Sequence, residues 1–299
     1  EIAQVMGQRW AFQAGLPRVS PGTASRAAAR SLWEQNVSPG RAPYRAQRVV
    51  QTKTRPTQAV RIGVRKAPAP DGRAGFIRID SVHQGDWDGI KGLYHINAVD
   101  CVTQWQVVAS VQAIADAHLL SVIEEMLEQF PFEILGFHAD NGSEYVNHQV
   151  ARLLDKLRVE FTRSRPRTSN DNALAETKNG AVVRKVFGYA HIPQRHAARF
   201  NTFCVEYLNP FLNFHRPCLF ATDEPDPKKP GRTKRVYRPK DAMTPLDKLA
   251  SLPAAHKHLR EGITLEHLQE LARALTDVQA AEELHEARAA LFRRVPARA

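Results

Sequence analysis

The chain has 299 residues, 43% of them hydrophobic, and a formal net charge of +11. This length predicts a sizeable core with appendages rather than one small domain. The three cysteines, Cys101, Cys204 and Cys218, form no Cys-x-x-Cys pair, which argues against a disulfide framework and a cysteine-rich zinc site. No apolar run approaches the roughly 18–20 residues of a membrane span, and no signal peptide is visible. We therefore expect a soluble protein of the reducing cytoplasm.

The positive charge is unevenly distributed along the chain. Residues 1–75 contain 13 Lys and Arg against 3 Asp and Glu, residues 76–220 contain 14 against 16, and residues 221–299 contain 15 against 12. A nearly neutral centre is therefore flanked by basic segments. Such segments attract a phosphate backbone through a sequence-independent, salt-sensitive interaction. The alternative is that they are only solvated tails.

The first 75 residues predict a helical segment followed by a linker. Ser20-Pro21 is typical of an N-cap with proline at the first helical position, and divides residues 1–36 into two short helices. This pattern is compatible with the remnant of a helix-turn-helix DNA-binding domain and equally with an ordinary helical hairpin. Residues 37–75, rich in proline and arginine, predict a basic linker. Because the first residue is Glu1 rather than Met, a missing start is one interpretation.

From residue 76 onwards, strand and helix patterns alternate. The predicted strands are Phe76–Val82, Tyr94–Val99, Gln104–Val111, Glu133–Phe137 and Val159–Thr162, and the predicted helices are Asp116–Phe130, Val146–Leu157 and Asn172–Tyr189. The order βββαβαβα fits a mixed five-stranded sheet flanked by helices. We therefore predict an α/β core over residues 76–220, with mainly helical appendages.

Three carboxylates stand at informative places in this core. Asp80 lies on the first strand, Asp140 just beyond the fourth, and Glu176 in the first turns of the helix after the fifth, with thirty-five residues between it and Asp140. Three carboxylates from separate elements can hold two Mg²⁺ ions, which prefer hard oxygen ligands, and Mn²⁺ is expected to substitute. Such a metal pair clamps the attacking and leaving oxygens of a phosphodiester displacement. The pattern therefore predicts an enzyme that cuts and joins DNA.

Other acidic residues compete for these roles. Asp86 and Asp88 fall in a glycine-containing loop, and Asp100 ends the neighbouring strand. Asp171 lies in a polar loop, where helix capping is the expected role. Glu144 is interpreted as a charge at a helix N-terminus, favoured by the helix dipole. Asp80, Asp140 and Glu176 remain the predicted set.

Basic residues near these carboxylates are candidates for contact with DNA phosphates. They are Arg163, Arg165 and Arg167 before the Glu176 helix, Lys178, Arg184 and Lys185 on it, and Lys228, Lys229, Arg232, Lys234 and Arg235 in a later insert. The insert, residues 228–240, has seven basic residues in thirteen and no acid, and predicts a DNA-tracking loop. A solvated loop is the alternative.

The remaining signals are interpreted mainly as structural. His138 and His215 are lone histidines with expected hydrogen-bonding roles, and for Trp87 and Trp105 buried packing is favoured over base stacking. Thr264 and Thr276 predict N-caps of two amphipathic helices, at about residues 265–275 and 277–294. Packing of these helices on the core and contact between subunits both stay open.

Four motifs carry a resemblance to a known family. They are Asp-Asn-Gly-Ser-Glu-Tyr at 140–145, Ser-Asn-Asp-Asn-Ala-Leu-Ala-Glu at 169–176, Asn-Phe-His-Arg-Pro at 213–217 and Thr-Pro-Leu-Asp-Lys-Leu at 244–249. With the order of elements and the thirty-five-residue interval, the chain resembles the DDE superfamily of retroviral integrases and bacterial transposases over about residues 76–250. Within it, the chain looks most like the ISNCY-like insertion-sequence transposases.

This resemblance implies a ribonuclease H-like fold in which Asp80, Asp140 and Glu176 bind two Mg²⁺ ions. It implies cleavage at element ends and strand transfer into target DNA by a homo-oligomer in the bacterial cytoplasm, associated with the nucleoid. The sequence departs from retroviral integrases in having Gly180 and Val183 where those carry DNA-gripping lysines, and in lacking their His-His-Cys-Cys zinc motif. Two alternatives stay open: a nuclease of the same fold without strand transfer, and a catalytically silent, DNA-binding relic.

Overall fold

The computed structural model describes residues 63–114, 116–140, 145, 148–165, 169–227 and 231–295. The predicted helical segment 1–36 and most of the predicted linker lie outside the described residues, as do Arg167, Lys228 and Lys229. Within the described part, no helix is both long and apolar enough to cross a membrane.

A mixed six-stranded sheet forms the centre of the described chain. The first eight strands in chain order are β1 (Val64–Arg65), β2 (Phe76–His83), β3 (Asp86–Trp87), β4 (Ile90–Lys91), β5 (Tyr94–Asp100), β6 (Gln106–Val111), β7 (Gly136–Ala139) and β8 (Glu160–Arg163). The order in the sheet is β1-β8-β7-β2-β5-β6, and β3 pairs separately with β4. The β2, β5 and β6 strands form an antiparallel meander, whereas β7, β8 and β1 are parallel to their neighbours.

The α/β sheet is confirmed, but with six strands rather than the predicted five. The additional strand β1 lies in the segment predicted as linker and pairs in parallel with β8. Two residues are too few to produce an alternating pattern, so this strand exists only through its tertiary pairing. The fourth predicted strand also shifts, from 133–137 to Gly136–Ala139, and Asp140 therefore follows its last residue directly.

Helices cover both faces of the sheet. The α-helices are α1 (Asp116–Glu128), α2 (His148–Lys156), α3 (Ala173–Lys178), α4 (Arg184–Phe187), α5 (Ala197–Phe203), α6 (Pro245–Ala250), α7 (Leu265–Arg273) and α8 (Asp277–Arg293). In the described part of the chain, three π-helical segments and three 3₁₀ turns extend or connect these helices. The π-helical segments are Asn179–Val183, Cys204–Leu208 and Phe211–His215, and the 3₁₀ turns are Ser169–Asn172, Gln194–His196 and Ala255–Lys257. The predicted helix 172–189 is thus α3, a π turn and α4 in succession, here called the Glu176 helix.

Two apolar clusters hold these layers together. Residues Ile77 and Ile79 of β2 join the cluster beneath α1 and α2, whereas Val82 joins the cluster beneath α4, α5 and α8. The alternation of side chains along a strand explains why β2 serves both clusters. Asp80 has the same parity as Val82, so it belongs to the face that the Glu176 helix covers.

The carboxylate of Asp100, at the end of β5, is buried and joins three segments. Its oxygens accept hydrogen bonds from the backbone N–H groups of Gly75, Phe76, Val102 and Thr103, and from the Thr103 hydroxyl, at 2.7–3.2 Å. Burial raises the pKa of Asp100, and the five hydrogen bonds oppose this shift because all of them donate to the carboxylate. Asp100 is therefore a structural residue that closes the β5–β6 turn onto the start of β2.

The C-terminal part contains a hairpin as well as helices. Strands β9 (Cys218–Pro225) and β10 (Thr233–Met243) pair antiparallel. Residues 233–240 lie in β10, so this part of the insert is a strand and not the predicted loop, whereas its contact with DNA stays a prediction. The insert has no regular alternation of apolar residues, so only its pairing with β9 makes it a strand.

The two predicted C-terminal helices are confirmed as α7 and α8. The side chains of Thr264 and Thr276 accept the hydrogen bonds expected of N-caps, from the backbone N–H groups of His267 and Gln279. Helix α8 packs on the core, where Leu284 and Leu291 are buried in the second cluster. Of the two interpretations for its apolar face, packing on the core is the one observed.

Candidate active site

Asp80 lies on β2, and Asp140 directly follows the neighbouring strand β7. Strands β2 and β7 are parallel, and their register pairs Ile79 with Ala139. Asp80 follows Ile79 and Asp140 follows Ala139, so the two aspartates occupy neighbouring backbone positions across the strand pair. Asp80 is half-buried and Asp140 is exposed at the end of β7. The predicted convergence of the first two acids is thus built into the strand register.

The Glu176 helix is joined to β2 on either side of Glu176. Before it, Asn172 Nδ2 donates to the carbonyl of Ile79 at 3.1 Å. After it, Asn179 Nδ2 donates to Asp80 Oδ2 at 2.7 Å. Asp80 Oδ1 also accepts a hydrogen bond from the backbone N–H of Ser81 at 2.9 Å. These contacts place the exposed Glu176 on a helix that is bound directly to the Asp80 carboxylate.

A row of buried amides lies behind Asp80. Asn97 Nδ2, on β5, contacts Asn179 Oδ1 at 2.9 Å and the carbonyl of Ala175 at 3.1 Å. Gln106 Nε2, on β6, donates to Asn97 Oδ1 at 2.8 Å. Asn97 and Gln106 are 0% and 1% exposed. The sequence analysis missed this row, and polar residues in otherwise apolar strands were the only signal for it.

The three predicted acids do not form a closed cluster. Among the described residues, no group of three or more His, Cys, Asp or Glu side chains is close enough to hold a metal ion. Carboxylates repel one another at short range unless a cation lies between them. The structure thus brings Asp80 and Asp140 to adjacent backbone positions and links Asp80 to the helix of Glu176, without joining the three side chains.

Asp171, the competitor of Glu176, is an ion-pair residue rather than the predicted helix cap. Its buried carboxylate accepts hydrogen bonds from the backbone N–H of Arg165 at 2.9 Å and from the Arg165 guanidinium at 2.8 and 3.0 Å. Asn172, not Asp171, occupies the N-cap position. The Asp171 carboxylate therefore binds Arg165 in the preceding loop and does not cap the helix, and the Arg165 guanidinium already has a protein partner.

Acid titration is expected to report this ion pair. Hydrogen bonds from Arg165 hold the pKa of Asp171 at about 2, below its ordinary value of 3.8. Because the folded pKa is the lower one, the stabilisation is present above about pH 4 and is lost as the pH falls towards about 2. The wild-type chain should therefore lose more unfolding free energy than Asp171→Asn across this window, as measured by urea unfolding. Equal losses in both proteins would show that the pair contributes nothing.

Two other competitors also have structural partners. Asp86, on β3, lies 3.3 Å from His83 Nε2, and Asp100 is fully engaged in its backbone turn. Glu144 lies outside the described residues.

His138 is buried against Thr162, and burial lowers its pKa to about 4. His215 contacts Asp277 at 3.1 Å. Both histidines therefore have the hydrogen-bonding roles that were predicted.

The predicted DNA-contacting residues on the Glu176 helix have different surroundings. Arg184 donates to the carbonyl of His83 at 2.9 Å, so it joins the helix to the end of β2. Lys178 is buried, with Nζ 3.0 Å from Cys218 Sγ, and burial lowers its pKa. Lys185 lines a large cavity. Arg163 is half-buried on β8.

That cavity, of about 1240 Å³, lies between the Glu176 helix and the β9–β10 hairpin. Its described lining contains one carboxylate, Asp223, and six basic side chains: Arg78, Lys178, Lys185, Arg216, Arg235 and Lys248. We call it the basic groove. The sequence analysis named three of the six basic residues and missed Arg78, Arg216 and Lys248, which are far apart in the chain. Arg232 and Lys234 are exposed near the hairpin end.

The aromatic residues considered for base stacking differ in exposure. Trp105 is 4% exposed and packs edge to face against Phe132 and Phe214, which confirms its predicted role in the core. Trp87, on the two-residue strand β3, is 42% exposed, so its predicted burial is wrong.

Residues 75–169 match the family model of the integrase core domain. The matched residues include Asp80 and Asp140 and end before Glu176. Over this range the match agrees with the resemblance that the sequence motifs carry.

Individual relatives cover only parts of the chain. An uncharacterized protein y4rM of Sinorhizobium fredii is 29% identical over 119 residues, which are 40% of this chain and 34% of that protein. The chain thus spans about a third of the length of this relative. The catalytic core of BIV integrase is 15% identical over 38% of this chain and 66% of that chain, with a TM-score of 0.29. The HTLV-2 integrase core, in complex with magnesium, is 14% identical over 46% of this chain and 87% of that chain, with a TM-score of 0.34.

Proposed function

We propose that this protein is a metal-dependent DNA transposase or integrase that cleaves phosphodiester bonds at element ends and joins them to target DNA. The observation that carries this proposal is the position of Asp80 beside Asp140 in an integrase core domain, with the helix of Glu176 hydrogen-bonded to Asp80. The proposed reaction would take place in the bacterial cytoplasm, on DNA, by a homo-oligomer that holds two ends.

The candidate residues fit a hard divalent cation. All three are carboxylates, which Mg²⁺ and Mn²⁺ prefer, and Glu176 and Asp140 are exposed to incoming ions. Asp80, Asp140 and Glu176 would hold two such ions. Bound Mg²⁺ supplies the positive charge that activates the attacking oxygen and stabilises the negative charge developing at the phosphorus. Asn179 holds the Asp80 carboxylate in place, and no protein nucleophile is required.

The basic groove supports DNA as the substrate. Six basic side chains against one carboxylate produce a positive potential that attracts the phosphate backbone in a salt-sensitive manner. We assign phosphate contacts to Lys185 and Arg235 in this groove. Arg163, Arg232 and Lys234 are proposed as further contacts, with Arg167, Lys228 and Lys229 from the segments outside the described residues. Lys178, Arg165 and Arg184 contact other protein groups and would need to rearrange to reach DNA.

The first test uses labelled duplexes of the DNA that flanks the gene, incubated with the protein and Mg²⁺ or Mn²⁺. We expect specific cleavage that frees a 3′-hydroxyl, followed by joining of that end to a plasmid, and neither product when EDTA is added. Metal-dependent cutting without joining would favour the nuclease of the same fold. Binding of the duplex without either product would favour the catalytically silent relic.

A further inference from the structure

We propose that Gln106, Asn97 and Asn179 are positioning residues that form a directional chain of amide hydrogen bonds, here called the amide relay, which sets the orientation of the Asp80 carboxylate. The relay runs from β6 through β5 to the Glu176 helix and ends on Asp80. It rests on the proposed function, because it gives Asp80 the role of a metal ligand. It extends that function to residues that touch neither metal nor substrate.

The direction of each amide follows from two groups that can only accept hydrogen bonds. The carbonyl of Ala175 faces Asn97, so the Asn97 atom beside it must be the NH₂ group. The same NH₂ group faces Asn179, which therefore presents its oxygen to Asn97 and its own NH₂ group to Asp80. An ionised carboxylate is also only an acceptor, so both ends of the relay require the same polarity.

Gln106 locks the first member of the relay. Its NH₂ group donates to Asn97 Oδ1, and this leaves the Asn97 NH₂ group to face the helix. The main chain of Gln106 is itself held on both sides by Asn213, whose side chain accepts from the N–H and donates to the carbonyl at 2.8 Å each. The starting residue of the relay therefore has a fixed backbone.

Burial makes this polarity consequential. Asn97 and Gln106 are almost fully buried, so an amide that turned over would find little water to replace its lost partner. If Asn97 turned over, its oxygen would face the Ala175 carbonyl and the Asn179 oxygen. Asn179 would then turn its NH₂ group towards Asn97 and its oxygen towards Asp80. A change at Gln106 can thus reach the Asp80 carboxylate through two intervening side chains.

The backbone around Asn179 supports the same role. Asn179 begins the π-helical turn Asn179–Val183, and its carbonyl accepts the backbone N–H of Arg184. π turns inside helices occur frequently at functional sites, since they re-aim side chains. Here the turn follows Glu176 by three residues, so the side chain that binds Asp80 and the predicted third ligand share one short segment.

The test combines Gln106→Met and Asn97→Leu in a double-mutant cycle, with the Mg²⁺ or Mn²⁺ affinity of the full chain measured by calorimetric titration. Both changes remove an amide while nearly preserving the side-chain volume. Removal of a group that orients a metal ligand typically weakens metal affinity by about 10–100-fold, and we expect Asn97→Leu to fall in that range. We expect a smaller loss for Gln106→Met and no additional loss when it is combined with Asn97→Leu.

Gln269→Met is the matched control. Gln269 Oε1, on α7, accepts a hydrogen bond from Arg273 at 3.3 Å, and no hydrogen bond among the described residues links this pair to the relay. The control should leave metal affinity unchanged, and thermal unfolding of all variants measures any purely structural effect. Independent, multiplying losses of Gln106→Met and Asn97→Leu would overturn the relay, as would unchanged metal affinity in both single variants.

A spectroscopic measurement tests the relay even if Asn97→Leu fails to fold or the wild type binds no metal. The side-chain NH₂ resonances of Asn179 are compared by NMR between the wild type and Gln106→Met. We expect a clear change in their chemical shifts, because the hydrogen bond to Asp80 changes. Unchanged Asn179 resonances would overturn the relay. If the wild type bound no metal ion but the Asn179 resonances still differed between the wild type and Gln106→Met, the proposed function would be contradicted and the relay would be supported.

Discussion

Replacing Asp140 by asparagine is expected to lower the rate of DNA cleavage and joining by roughly 10³-fold or more. The amide keeps the shape of the side chain but removes the negative charge that would hold a divalent ion. Metal charge contributes several kcal/mol to the stabilisation of such a transition state, and each 1.4 kcal/mol or so corresponds to tenfold in rate. Because Asp140 is exposed at the end of β7, the fold should be unaffected. Cleavage of the labelled duplex at saturating Mg²⁺ measures the effect.

Asp88→Asn provides the matched control for this experiment. Asp88 was one of the competing acids, and it lies exposed between β3 and β4. The control should cleave and join DNA at the wild-type rate. If Asp88→Asn were inactive and Asp140→Asn active, the assignment of the carboxylates would be wrong. Equal thermal unfolding of both variants and the wild type would show that the comparison concerns the site and not the fold.

Replacing Asp100 by alanine is expected to destabilise the protein strongly, by roughly 3–5 kcal/mol. The substitution leaves several buried backbone N–H groups without an acceptor, each at about 1–3 kcal/mol, with partial relief from water entering the gap. Asp100→Asn should also destabilise, since its NH₂ group would face N–H donors. Denaturant unfolding measures both variants, and a lower midpoint with an unchanged slope is the expected result.

Asp155→Asn serves as the control for stability, because Asp155 is exposed on α2. A surface change of this kind is expected to remain within about 0.5 kcal/mol of the wild type. If Asp100→Ala unfolded at the wild-type midpoint, the five hydrogen bonds to this carboxylate would be irrelevant to stability. Together the two sets of variants distinguish a structural acid from a catalytic one, since we expect Asp100 to affect stability and Asp140 to affect the rate of the reaction.

Local patterns in the sequence accounted for most of the elements of the core. Alternation marked β2, β5 and β6, helical spacing marked α1 and α2, and the threonine caps marked α7 and α8. These signals are local, because each depends on residues that are close together in the sequence, within one helix or one strand. The three carboxylates were found in the same way, from their places relative to predicted strand and helix ends. Their roles stay predictions until the variants are measured.

The errors of the sequence analysis share a different cause. Strand β1 and the β9–β10 hairpin were missed because short or polar strands are defined by their partners rather than by periodicity. Asp171 was assigned to capping, whereas the structure pairs it with Arg165 six residues earlier. For Arg184 and Lys178 the sequence did not reveal the contacts with the His83 carbonyl and with Cys218, and their contact with DNA stays a prediction. A charged residue in a sequence does not reveal which protein group it meets.

The sequence by itself determined the α/β class, the positions of the three acids in their elements, and the basic character of the flanking segments. Only the tertiary structure decided that Ile79 pairs with Ala139, which brings Asp80 beside Asp140 from sixty residues away. It also decided that Gln106, Asn97 and Asn179 meet behind Asp80. The physical reason is that periodicity and capping are properties of neighbouring residues, whereas strand register and buried hydrogen bonds depend on how distant segments pack against each other.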